Sequence, residues 1–113
     1  LTFLHGYKDT YINGILENIV FIELLRRGYK VFIGKIGDME IDFVAEKNGE
    51  KLYVQVAYLI SSEETKEREL RPLKSLLALG DNFPKLILTM DDLPPSNENG
   101  IIRKNIREWI LEG

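Results

Sequence analysis

Polar and apolar residues alternate along two neighbouring stretches, 40–47 and 51–57, joined by Asn48-Gly49. Asn-Gly between alternating runs predicts a β-hairpin, because both central positions of the tight turn need a positive φ. Alternation puts Ile41, Phe43 and Ala45 on one face and Glu40, Asp42, Val44 and Glu46 on the other. On the return strand Leu52, Val54 and Val56 form one row, and Tyr53, Gln55 and Ala57 the second. Upstream, Tyr29, Val31 and Ile33 alternate with Lys30 and Phe32, which predicts a strand over 29–35 and a turn region over 34–38. Earlier still the period becomes helical: Ile12, Ile15, Leu16, Ile19, Val20 and Ile22 predict a helix over 13–27, with Asn13 as N-cap and Gly28 as the stop. Residues 1–12 lack a clear period and read as a tail from a preceding domain, which leaves 13–113 as one α/β domain.

After the hairpin, Ser61 with Glu64 three residues on matches a capping box and opens a second helix. Its first part, 63–71, is dense in charge and reads as a solvated face. Pro72 is expected to kink or restart it, and Gly80 ends it. The continuous apolar run Leu86-Ile87-Leu88 predicts a strand buried on both faces, which implies parallel pairing after a helical crossover. Residues 91–100 read as a loop, Ile101-Ile102 as the start of a last strand, and 105–111 as a short helix anchored by Trp109. The predicted fold is therefore α/β: helix, three-strand antiparallel meander, helix, further strand joining a mixed sheet, and C-terminal helix.

Composition narrows the chemistry. The chain of 113 residues contains no cysteine, which removes disulfides and thiolate metal sites, and fits a reducing, cytoplasmic setting. Its single histidine, His5, has no second histidine with which to share a zinc ion. A net charge of −3 argues against a dedicated electrostatic nucleic-acid binder, although Arg26, Arg27 and Lys30 make a small basic cluster. No stretch is long and apolar enough to cross a membrane. The first residue is Leu1, and the chain reads as a piece of a longer protein.

Asp42 and Gln55 are polar residues inside otherwise apolar strands, where burial costs a few kcal/mol unless something binds them. Glu17, on the first helix, is expected to cross above this sheet and converge with them. Structural alternatives stand beside that reading: Asp42 accepting bonds from a loop, Gln55 bonded to Glu17 or capping an edge, and Glu17 and Glu23 paired with Arg27 on the helix surface.

The order of elements, with Glu17, Asp42 and Gln55 at these spacings, resembles the PD-(D/E)XK nuclease superfamily, the restriction-endonuclease-like fold. Over residues 14–110 the sequence is similar to a narrower group, the C-terminal domain of unknown function of prokaryotic AAA-type ATPases. Leu16-Glu17-Asn18, residues 23–29, residues 40–45, residues 54–58 and Arg68-Glu69 carry that likeness. The resemblance implies a Mg²⁺ site with Asp42 as principal ligand, the residue at 55 as the second and Glu17 holding a metal-bound water. It also implies a lysine two residues after the second acid. Here Gln55 is neutral and Ala57 stands at the lysine position; Lys35, Lys66 and Lys74 are candidates for a migrated lysine. A missing preorganised charge costs on the order of 100- to 1,000-fold in rate. Three functions are therefore carried forward. The first is a catalytically degenerate nuclease-fold module, C-terminal in an ATPase, contacting DNA or protein. The second is an active Mg²⁺-dependent endonuclease with a migrated lysine. The third is a regulatory or homodimerising domain with no nucleic-acid role. In each case the ATP hydrolysis belongs to the N-terminal ATPase domain of the longer chain, since no P-loop occurs here.

Overall fold

A computed structural model describes residues 2–60 and 63–113, with the backbone alone for 2–10. The elements run α1 (Thr2–Arg26), β1 (Lys30–Ile36), β2 (Met39–Lys47), β3 (Glu50–Ala57), α2 (Glu63–Ala78), β4 (Lys85–Thr89), β5 (Ser96–Glu98), β6 (Ile101–Asn105) and α3 (Ile106–Glu112). One six-stranded sheet has the order β1-β2-β3-β4-β6-β5. Its first three strands form the antiparallel meander; β3, β4 and β6 are mutually parallel, and β5 returns antiparallel to β6. The expected mixed α/β architecture is the one observed, with α2 as the crossover between β3 and β4.

Helices cover both faces. Leu16, Val20 and Leu24 of α1 and Ile106 and Trp109 of α3 pack with Ala45, Val54, Val56, Leu86 and Leu88. On the other face Leu70 and Leu73 of α2 pack with Ile41, Tyr53, Ala57, Ile87 and Ile101. All five residues of β4 are buried, as a strand with parallel neighbours on both sides requires.

Four local expectations are corrected. Asn13 is not an N-cap: α1 already runs through it, and its Oδ1 accepts the Tyr58 N–H at 2.7 Å, tying the helix to the end of β3. Pro72 does not restart α2, which continues as one helix from Glu63 to Ala78 with Pro72 buried. Proline removes only one N–H, and burial of Leu70, Pro72 and Leu73 holds the helix across the gap. Strand β1 extends through Gly34 to Ile36, so the turn shrinks to Gly37 and Asp38. Residues 96–98, read as loop, pair as β5 through a second Asn-Gly turn, Asn99-Gly100, whose φ values of 55° and 90° match those of 55° and 82° at Asn48-Gly49. Ser61, half of the proposed capping box, lies outside the described residues, as does the side chain of His5.

The alternation of β2 also fails at one point. Ile41 packs under α2 with Tyr53 and Ala57, whereas Phe43 and Ala45 pack under α1. The β1–β2 register shifts there: Phe32 opposes Val44 but Gly34 opposes Ile41, so β2 carries one extra residue at Asp42-Phe43. This is a β-bulge, which re-aims the side chains on either side of it. Gly34 is needed opposite it, because a Cβ at that position would meet Val44 Cγ2 at 2.6 Å.

Candidate functional site

The bulge builds the site. The β2–β3 ladder ends at Phe43 opposite Val54. One step further, side chains substitute for the backbone ladder: Asp42 N–H donates to Gln55 Oε1 at 2.8 Å, and Val56 N–H donates to Asp42 Oδ2 at 2.8 Å. Gln55 Nε2 also donates to the Glu69 carbonyl of α2 at 3.2 Å. Only 3% of Gln55 is exposed, and both ends of its amide are satisfied. An open cleft of about 250 Å³ lies over this pair, lined by Glu40, Asp42, Gln55 and Glu69, with the exposed Arg68 and Arg71 also at its walls. A larger cavity of about 350 Å³, at the far end of the hairpin between Tyr29, Lys47 and Pro84, has Glu50 as its one carboxylate.

Asp42 and Gln55 are thus brought together. Glu17 is not among the residues that line this cleft; it stands half-buried on α1, which packs on the opposite face of the sheet from α2. It nevertheless shares an electrostatic field with the cleft. Burial and the charge of Asp42 push the Glu17 carboxyl up. Burial pushes Asp42 up as well, aided by Glu40 and opposed by the Val56 N–H. The largest effect falls on Glu69, which sequence reasoning read as one of many surface charges on α2. Burial, then the charges of Asp42 and Glu17, push it up to about 7 against the pull of Arg68. The available signal was its place beside Leu70, Pro72 and Leu73 within the buried stripe of that helix.

The lysine position is closed. Ala57 is 3% exposed and belongs to the core under α2, with Leu70 and Leu73. None of the three candidate lysines lines the cleft. Lys66 lies 3.7 Å from Glu98, Lys74 lies 3.7 Å from Glu67, and Lys35 sits on β1 opposite Glu40. The donor set does not fit Mg²⁺. The Gln55 oxygen is neutral and already accepts a backbone N–H, one Asp42 oxygen is likewise bonded, and among the described residues no three acidic or imidazole side chains are grouped to hold a metal ion.

The basic cluster at the end of α1 has a structural task. Glu23, 7% exposed, accepts from Arg26 Nε at 2.9 Å and Nη2 at 2.7 Å, and from Arg27 Nε at 2.7 Å. Arg27 Nη2 donates to the Trp109 carbonyl at 2.6 Å, with its guanidinium 4.3 Å from the centre of that ring, and Arg26 Nη2 donates to the Gly113 carbonyl at 3.1 Å. Both arginines therefore clamp the C-terminal end of α3 to α1, where its last carbonyls need donors.

No helix among the described residues is long and apolar enough to cross a membrane. No protein-family model matches the sequence. The chain is similar to an uncharacterized protein of Haemophilus influenzae, 45% identical over 107 residues, which make up 95% of this chain and 25% of that protein. It therefore spans about a quarter of the length of the relative it matches.

Proposed function

We propose that this chain is a catalytically degenerate nuclease-fold module of the PD-(D/E)XK type, an accessory domain of a longer cytoplasmic AAA-type ATPase, which contacts DNA or protein without cutting DNA. The observation that carries this reading is the state of Gln55. In a working site of this kind the residue at 55 is an acid offered to a metal; here it is an amide locked between the Asp42 N–H and the Glu69 carbonyl. Its neighbour two residues on, Ala57, is sealed under α2, so the lysine position of the motif offers no cation, and the cations at the cleft walls are the exposed Arg68 and Arg71. The placement of Lys66 and Lys74 beside Glu98 and Glu67 weighs against a migrated lysine. The relative's additional three quarters is long enough to hold an ATPase domain.

The test is nicking of supercoiled and branched DNA by the purified chain with Mg²⁺ or Mn²⁺, with Asp42→Ala as control. The expected result is no cleavage above that control. Cleavage by the unmodified chain that disappears in Asp42→Ala would refute the reading and establish an active endonuclease.

A further inference from the structure

The outer face of α1 is apolar and uncovered. Tyr11, Ile15, Ile19, Ile22 and Leu25 are 39–62% exposed, while the opposite side of the same helix packs Leu16, Val20 and Leu24 into the core. Among the described exposed residues of α1 the one charge is Arg26, and Glu23 neutralises it. That is unusual for a chain in which 29% of residues are charged, and contiguous exposed apolar faces of this kind mark interaction sites.

One row of the stripe has a polar residue at its centre. Tyr11, Ile15, Asn18, Ile22 and Leu25 fall alternately four and three residues apart, the 3.5-residue period of a coiled-coil seam. Ile15 and Ile22 take one seam position, and Tyr11, Asn18 and Leu25 take the other. Asn18 is central, with Tyr11 and Leu25 seven residues to either side. We infer that this stripe is a homodimer seam, in which α1 pairs with α1 of a second copy of this chain about a two-fold axis at Asn18.

A carboxamide both donates and accepts, so two Asn18 side chains related by that axis satisfy one another. Any other alignment would set both carboxamides against apolar neighbours, so the pair fixes the register. The area suffices. At about 200 Å² for a large side chain, these exposures leave roughly 500 Å² of apolar surface on each copy. A standard interface buries about 800 Å² per partner, of which about 65% is apolar in homodimers. The near absence of charge on the stripe lets two copies meet even though each carries a net charge of −3. The inference stands independently of what the cleft does.

Sedimentation velocity of the 113-residue chain over a concentration series should show a species of twice the 13.1 kDa monomer mass. Ile22→Lys, at an exposed position and checked for native circular dichroism, should raise the dimer dissociation constant at least about 10-fold. Because the chain has no cysteine, Asn18→Cys should give a disulfide-linked dimer on mild oxidation, and Lys74→Cys on α2 should not. A monomer throughout the series overturns the inference. So does a dimer indifferent to Ile22→Lys, or one that Asn18→Cys fails to cross-link, since either would place the interface elsewhere.

Discussion

Glu69→Gln should stabilise this protein, and only above a defined pH. In the folded chain the Glu69 carboxyl is pushed from 4.5 up to about 7, first by burial and then by Asp42 and Glu17. The folded state therefore holds a proton that the unfolded state releases at lower pH. The Glu69 contribution to stability is fully present below about 4.5 and is lost as pH rises towards 7, because the unfolded chain binds fewer protons over that window. At about 1.4 kcal/mol per pH unit the full loss is roughly 3 kcal/mol. Water reaches part of the carboxyl and screens it, which reduces the expected figure to about 1–2 kcal/mol. Glutamine keeps the shape and cannot ionise. It also removes one negative charge from the neighbourhood of Asp42 and Glu17, both of which are themselves raised. Denaturant unfolding of wild type and Glu69→Gln at intervals from pH 4 to about 8.5 would read the effect directly. The two curves should coincide near pH 4, diverge between about 4.5 and 7, and run parallel above, with the variant more stable by that 1–2 kcal/mol, roughly 4–8 °C in melting temperature. Equal stability at pH 8 would refute the claim that Glu69 is held in a repulsive, desolvated field, and with it the description of the cleft as a cluster of mutually opposed carboxylates.

Ala57→Lys should destabilise by about 2–4 kcal/mol, because three further methylenes and an ammonium must enter the filled core under α2; an unchanged denaturation midpoint would show that the position is open. Glu23→Ala should cost about 2 kcal/mol and loosen α3, measurable by thermal melting and by faster amide exchange near Trp109, since three charge-assisted hydrogen bonds disappear. In the unmodified chain, hydrogen bonds from Arg26 and Arg27 hold Glu23 down at about 2, so its contribution should be present above about 4.5 and lost as pH falls towards 2. Asn105→Ala should cost about 1 kcal/mol, because its Oδ1 accepts the Arg107 N–H at 2.9 Å and the Glu108 N–H at 3.3 Å; exchange at those two amides should accelerate first.

The elements that local chemistry dictates were legible from sequence. The β2–β3 hairpin follows from Asn48-Gly49, one of the few dipeptides that take two positive φ values cheaply. The buried parallel strand follows from Leu86-Ile87-Leu88, and the final helix from Asn105 and Trp109. Strand β5 escaped because Ser96, Asn97 and Glu98 carry no apolar pattern; they are a strand only by pairing with β6 at the sheet edge. Asn13 looked like a cap because its amide wants a backbone N–H, and only the folded chain shows that this N–H belongs to Tyr58, 45 residues away. The pairing of Asp42 with Gln55 was foreseeable from neighbouring strands, but its form was not. A bulge is a count of residues on one strand against those on its partner, so the inversion of Ile41 could be seen only once β1 lay beside β2. Read as one solvated face, the 63–71 run did not single out the acid that turns inward, although Glu69 stands four residues before Leu73. That choice was made by the packing of Leu70, Pro72 and Leu73 on the sheet, which carries Glu69 towards Asp42 and leaves Glu63, Glu64 and Glu67 in water. Sequence determined the elements because their signals are local; the tertiary structure decided the electrostatics of the cleft because burial is set by residues far apart in the chain.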